Sequence, residues 1–167
     1  FPYLSKEDQD LYLRRIIEQE NVKILDEGFN AIFEVSGGDL RRATNALQAA
    51  ASLGKVIDAE TVYSVIGRAS PADVREMITL AMKGDFIGAR QRLREMILKY
   101  GVAGSDIIKQ IHIEIFRSGL PERWKVKLAD AIGEIDFRLV QGADEEVQLS
   151  ALLARLTEAG HELQRGV

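Results

Sequence analysis

Two arginines stand together where a helix should begin. In the run Gly37-Gly38-Asp39-Leu40-Arg41-Arg42-Ala43-Thr44-Asn45-Ala46-Leu47-Gln48, the glycines stop one helix and Asp39 is spaced to cap the next. Cations in a first turn oppose the positive end of the helix dipole, at ~0.3–1 kcal/mol each. Asp39 offsets part of that. A residue that breaks a local rule at a defined place is a candidate functional group. Arg41, together with the free N–H groups of the first turn, suits an anion such as a phosphate. The competing reading makes both arginines surface residues paired with nearby acids, and the pattern alone leaves the two readings open.

Other polar residues carry less chemistry. The chain has no Cys, which removes disulfides, thiolate nucleophiles and thiolate metal ligands and fits a reducing compartment. His112 lies among Ile111, Ile113 and Ile115 with no second ligand at metal spacing, so a place at the core edge or an interface suits it better. His161 is read as solvated near a helix end. Ser36, Ser105 and Ser118 fall at helix ends, away from any nucleophile-elbow pattern. No Gly-x-x-x-x-Gly-Lys-Ser/Thr loop is present to cradle phosphates. Asp144-Glu145-Glu146 superficially resembles an acidic Mg²⁺ box, but it opens a helix, where acids are favoured. ATP hydrolysis by these residues alone is therefore not expected. Trp124 is either core or an interface anchor, and Met77, Met82 and Met96 read as core filler.

The elements that position these residues are helical almost throughout. Ser5 caps a helix over about 6–20 with Leu13, Ile16 and Ile17 inward. Asp26 opens a second, bearing Phe29, Ile32 and Phe33. Asp39 caps a third to about Ser52, with Leu40, Ala43, Leu47 and Ala50 on one stripe. Asp58 caps a short fourth with Val62, Val65 and Ile66. Gly67-Arg68-Ala69-Ser70 reads as a domain boundary. Ser70 then caps a helix with Pro71 at its first position, running to Lys83 with Val74, Met77, Ile78 and Ala81 inward. After the Gly84-Asp85 turn comes a helix over about 86–100 with Ala89, Leu93, Met96 and Ile97. This hairpin resembles a single tetratricopeptide-type repeat, but no second copy follows at a fixed period. Helices to about Ser118, from Pro121 through Leu139, and from Asp144 onward complete the chain. The prediction is an all-α protein, four helices in 1–67 followed by five in 68–167. Only Lys55-Val56-Ile57 has β character. Ile107, Ile108, Ile111, Ile113, Ile115 and Phe116 exceed what one ~100° stripe needs. That excess points either to contact with another subunit or to a central helix surrounded within its own domain.

Composition sets the outer limits. The chain has 167 residues, 46% hydrophobic and 29% charged, enough for one large or two small packed domains. A net charge of −4 argues against a main DNA-gripping role, since such binding depends on neutralising phosphates. No apolar run approaches the ~18 residues of a membrane span. Phe1-Pro2-Tyr3-Leu4 has neither an initiator Met nor a signal-peptide pattern and reads as a cut end.

The string Gly38-Asp39-Leu40-Arg41-Arg42-Ala43-x-Asn45-x-Leu47-Gln48 resembles the sensor 2 motif of replication factor C small subunits. Upstream, Leu4-Ser5-Lys6-Glu7-Asp8 resembles the end of the segment that joins the ATPase core to the lid in that family. Downstream, Arg75-Glu76-Met77, Lys83-Gly84-Asp85-Phe86 and Ala89-Arg90 resemble its first collar hairpin. Leu128-Ala129-Asp130-x-Ile132-Gly133-Glu134 and Phe137-Arg138-Leu139-Val140-x-Gly142-Ala143-Asp144-Glu145 resemble later collar helices of archaeal small subunits. Phe1-Pro2-Tyr3-Leu4 departs from an expected Arg- or Thr-Pro-Leu order.

The resemblance implies a four-helix AAA+ lid over 1–67 and a five-helix collar for oligomerisation over 68–167. It implies that Arg41 reaches the γ-phosphate of ATP held by the core domain of the same subunit, with Gly38, Asp39 and Arg42 supporting the motif. ATP and Mg²⁺ would bind the intact subunit, with neither expected on this stretch alone. Ile111, Ile115, Trp124 and Arg138 are the expected subunit-interface residues. Expected partners are other small and large clamp-loader subunits, including further copies of the collar. The sliding clamp and primer–template DNA would be met through the ATPase domain. No membrane role is expected, and the location would be cytoplasmic, at the nucleoid in an archaeon or nuclear in a eukaryote. The rival readings are a helix-turn-helix DNA binder built across Ser36-Gly37-Gly38 and a helical peptide-binding adaptor.

Overall fold

The computed structural model describes residues 3–20, 22–54 and 56–166. Phe1, Pro2 and Lys55, which figured in the expectations above, lie outside the described residues. The described residues are all-α, as expected. They divide into two compact units, Phe1–Gly67 and Arg68–Val167.

In the first unit, α1 spans Lys6–Glu20, α2 Asp26–Ser36, α3 Leu40–Ala51 and α4 Ala59–Ile66. Three of these four starts carry a side-chain cap. The Ser5 hydroxyl accepts from Asp8 N at 3.2 Å, Asp39 from Arg42 N at 3.0 Å and Asp58 from Thr61 N at 2.8 Å, each satisfying a first-turn donor. Leu13, Phe29, Ile32, Ala43, Leu47, Ala50, Ile57 and Val62 form the core, with Tyr63 beside them. Tyr63 closes one side by donating its hydroxyl to the Glu34 carboxylate. The β character near residue 57 amounts to one parallel bridge, Ile24 to Ile57. Its bonds run from Leu25 N to Ile57 O and from Ile57 N to Lys23 O, at 2.9 and 2.8 Å.

In the second unit, α5 spans Pro71–Met82, α6 Phe86–Arg94, α7 Gly104–Arg117, α8 Glu122–Val140 and α9 Glu145–Gln164. The helix expected over 86–100 changes pitch at Glu95–Lys99, which forms a π turn. Tyr100 N bonds Glu95 O at 3.3 Å, and Val102 N bonds Met96 O at 3.0 Å. Met96 stays in the core while the chain turns toward α7. Ser70 occupies the N-cap position of α5 without a side-chain cap, and Gly104 begins α7 rather than preceding it. α9 packs against α5, α6, α7 and α8. Its Gly160 crosses α5 so closely that an added Cβ would lie 2.0 Å from Met82 O.

Two ion clusters tie this unit together. Glu114 of α7 is buried and is met by Arg75 of α5 at 3.3 Å and by Gln110 at 2.8 Å. Arg92 reaches Asp73 at 2.8 Å, Glu95 at 2.9 Å and Glu76 at 3.1 Å. The Glu95 hydrogen bond, with the charges of Asp73, Glu76 and Glu95, holds the guanidinium pKa above its ordinary value against the opposing effect of burial.

The expected interface residues separate here. Ile111 and Ile115 are each 0% exposed, enclosed by the core of their own unit. Their side chains therefore offer no surface to another subunit, which corrects that expectation. The apolar excess on α7 that does reach solvent is Ile113 and Phe116. Trp124 is buried, with Lys127 Nζ 4.5 Å from its ring centroid and its Nε1 without a hydrogen-bond partner. Arg138 is exposed and pairs with Glu134 at 2.5 Å.

Candidate functional site around Arg41

The first unit carries an open cleft of about 890 Å³ at the start of α3. Tyr3, Leu4 and Tyr12 line one side; Gly38, Arg41, Thr44 and Gln48 are among those lining the other. The cleft is built by a close backbone approach. Gly37 ends α2 in the left-handed conformation, and Gly38 follows with φ +85°. Leu4 N then bonds Gly38 O at 3.0 Å. An added Cβ on Gly38 would lie 2.6 Å from Leu4 O, so this position needs glycine for both its conformation and its lack of a side chain.

The adjacent arginines have different surroundings. Arg42 is anchored locally, its N–H on the Asp39 carboxylate and its guanidinium 3.9 Å from that same group. Arg41 is exposed, lines the cleft, and makes no ion pair among the described residues. The reading in which both arginines are paired surface residues thus holds for Arg42 alone. Thr44 turns its hydroxyl back to Leu40 O at 2.9 Å, leaving Arg41 as the cation on this rim. Behind the cleft, Ser36 donates to Gln9 Oε1 at 2.9 Å in a buried contact between α1 and α2. Gln9, wholly buried, escaped the sequence reading because a polar residue early in a helix resembles any solvated position.

A phosphate oxygen is a fitting partner for an exposed guanidinium that makes no ion pair among the described residues. Among the described residues no three His, Asp or Glu side chains gather as a metal-binding group. Also among them, no helix is long and apolar enough to cross a membrane.

Comparison with known proteins bears on both stretches of the chain. Residues 11–52 match the family model described as RCF1/5-like, AAA+ ATPase lid domain. The first unit therefore carries the helical lid of the AAA+ class. Residues 69–155 match the model described as Replication factor C C-terminal domain. A replication factor C small subunit of Staphylothermus marinus is 51% identical over 98% of this chain and 50% of its own length. Aeropyrum pernix has one 48% identical over 98% of this chain and 51% of its own. That of Pyrococcus horikoshii is 50% identical over 96% of this chain and 19% of its own. The chain belongs to the replication factor C family, and it spans about half the length, or less, of these relatives.

Proposed function

We propose that this chain is the nucleotide-sensing and assembly portion of a clamp-loader small subunit. Residues 1–67 act as a lid over a nucleotide site, and residues 68–167 act as a collar that joins subunits. Arg41 is the sensing group. It binds a γ-phosphate oxygen of ATP held by an ATPase core, so the lid takes one angle with ATP bound and another after hydrolysis. The core supplies the phosphate loop and the Mg²⁺ ligands. The assembled complex uses this coupling to open a sliding clamp and place it on primer–template DNA. Gly38 and Asp39 shape and cap the segment that carries Arg41, and Arg42 stays with Asp39. In the collar, Arg138 remains an exposed candidate for subunit contact and Trp124 a mostly buried support.

One observation carries the reading. Of two adjacent arginines in a family lid, the one that lacks an acidic partner faces the open cleft. The test is Arg41→Ala in the full-length subunit, assembled with its partners. A charged hydrogen bond contributes ~1.5–3 kcal/mol, so ATP-dependent clamp loading should fall at least about tenfold. Assembly should be unchanged. Normal loading at limiting ATP would refute the role given to Arg41. Arg42→Ala, which removes the paired arginine, should leave loading within about twofold.

A further inference from the structure

Hydrogen bonds join the opposing walls of the cleft that Arg41 lines. One wall is the stretch that holds Tyr3, Leu4 and Tyr12; the other begins at Gly38. Leu4 N bonds Gly38 O at 3.0 Å, a contact of backbone with backbone. A second join is made by side chains, where Gln9 Oε1 accepts from the Ser36 hydroxyl at 2.9 Å. Ser36 stands just before the Gly37-Gly38 turn, and its carbonyl accepts from Asp39 N at 3.1 Å. Asp39 in turn caps α3 through Arg42 N. A path of hydrogen bonds therefore runs from Gln9 through Ser36 and Asp39 to the first turn of α3, which carries Arg41.

Stability alone does not account for a glutamine at position 9. Gln9 is 0% and Ser36 2% exposed, and Gln9 Nε2 has no hydrogen-bond partner among the described residues. A buried amide with an unpaired donor is unfavourable, and an apolar side chain of similar size would fill the same space without that cost. The Ser36 hydroxyl does not depend on Gln9 either, since it lies 3.2 Å from Phe33 O and can donate there. What the glutamine adds is direction. Apolar burial is non-directional, whereas a hydrogen bond fixes a distance and an angle. A polar group that breaks the rule for its place in a core, beside a site that must be aimed, is a candidate for aiming it.

We infer that Gln9 is a positioning residue for Arg41. Its bond to Ser36 sets how the turn before α3 stands against α1, and so where the Arg41 guanidinium points. Gln9 acts through Ser36 and does not touch the nucleotide. Together with the Leu4–Gly38 bond, it passes a shift of the stretch entering α1 on to the start of α3. This inference rests on the reading of Arg41 as the group that senses the γ-phosphate, and it names what aims that group.

The test is Gln9→Met, because methionine matches glutamine in length and leaves no unpaired donor. On the chain as it stands, the thermal midpoint of the first unit, followed by circular dichroism, should equal or exceed that of the wild type. On the full-length subunit assembled with its partners, affinities are measured for ADP and for a non-hydrolysable ATP analogue. Arg41→Ala should narrow the preference for the triphosphate at least about tenfold, as expected for one lost charged hydrogen bond. Gln9→Met should narrow it at least about threefold by misaligning that bond, with ADP affinity unchanged. In the double variant Gln9→Met should add nothing, since an absent arginine cannot be misaimed. An unchanged preference in Arg41→Ala would overturn the sensing reading and this inference together. If Arg41→Ala acts but Gln9→Met leaves the preference as it was, this inference alone fails. It also fails if the midpoint of Gln9→Met drops, if ADP affinity falls alongside, or if the losses add in the double variant, each of which would make Gln9 a packing residue.

Discussion

At Gly38 the backbone leaves no room for a side chain, because its φ is +85° and Leu4 O occupies the space a Cβ would take. Gly38→Ala should destabilise the first unit by ~1–3 kcal/mol, the range for a non-glycine forced into a disfavoured conformation, with the clash added. Gly37 shares a positive φ, but open space surrounds its missing Cβ. Gly37→Ala should therefore cost clearly less, about 1 kcal/mol. Denaturant midpoints of the two variants decide this, and equal losses would mean that the approach of Leu4 carries no weight. The residue types around Arg41 were legible in the sequence. Gly marked the helix stop, Asp39 the cap, and the arginines the broken rule. Which arginine is paired was not legible, since Arg41 and Arg42 are neighbours and only the side-chain path to Asp39 separates them. The second demand on Gly38 was equally hidden, because it comes from Leu4, far earlier in the chain.

At the scale of elements, periodicity located every helix, because each buried stripe repeats at three and four residues and most starts carry a capping hydroxyl, a capping acid or a proline. It placed the outward surfaces less well. Counting isoleucines on α7 correctly signalled a surplus, but Ile111 and Ile115 face α7's neighbours, whereas Ile113 and Phe116 reach solvent. The more exposed apolar face lies on α8, opposite its buried stripe. On α9, Val147 is exposed, while Leu149 two residues on is buried. The π turn at Glu95–Lys99 has no distinguishing composition, since it differs from α-helix by a single residue of register. Gly160 marks another contact invisible along one helix. Gly160→Ala would place a methyl 2.0 Å from the backbone carbonyl oxygen of Met82, which cannot rotate aside as a side chain would. α9 must then move off α5, and overpacking of this kind costs ~1–3 kcal/mol or more. Denaturation followed by the fluorescence of the single tryptophan, Trp124, should show a lowered midpoint. An unchanged midpoint would mean that α9 shifts there without loss.

For the whole molecule the useful fact is that each hydrophobic core closes within its own stretch of sequence. The first draws on Leu13 through Tyr63 with partly buried neighbours to Ile66, and the second on Ala69 through Leu156. A nucleotide sensor and an assembly surface benefit from that separation, because strain in one core need not loosen the other. Leu47 is buried among α3's neighbours in the first unit, so Leu47→Ala should cost that unit ~2–5 kcal/mol. The only tryptophan lies in the second unit, so its fluorescence reports that unit selectively. On heating Leu47→Ala, part of the helical circular dichroism should be lost several degrees earlier than in the wild type. The Trp124 transition should stay where it was. If the tryptophan signal moved down together with the dichroism, the two cores would be unfolding as one cooperative body. A lid that tilts with the state of its nucleotide would then disturb the collar as it moved, and the proposed division between sensing and assembly would fail.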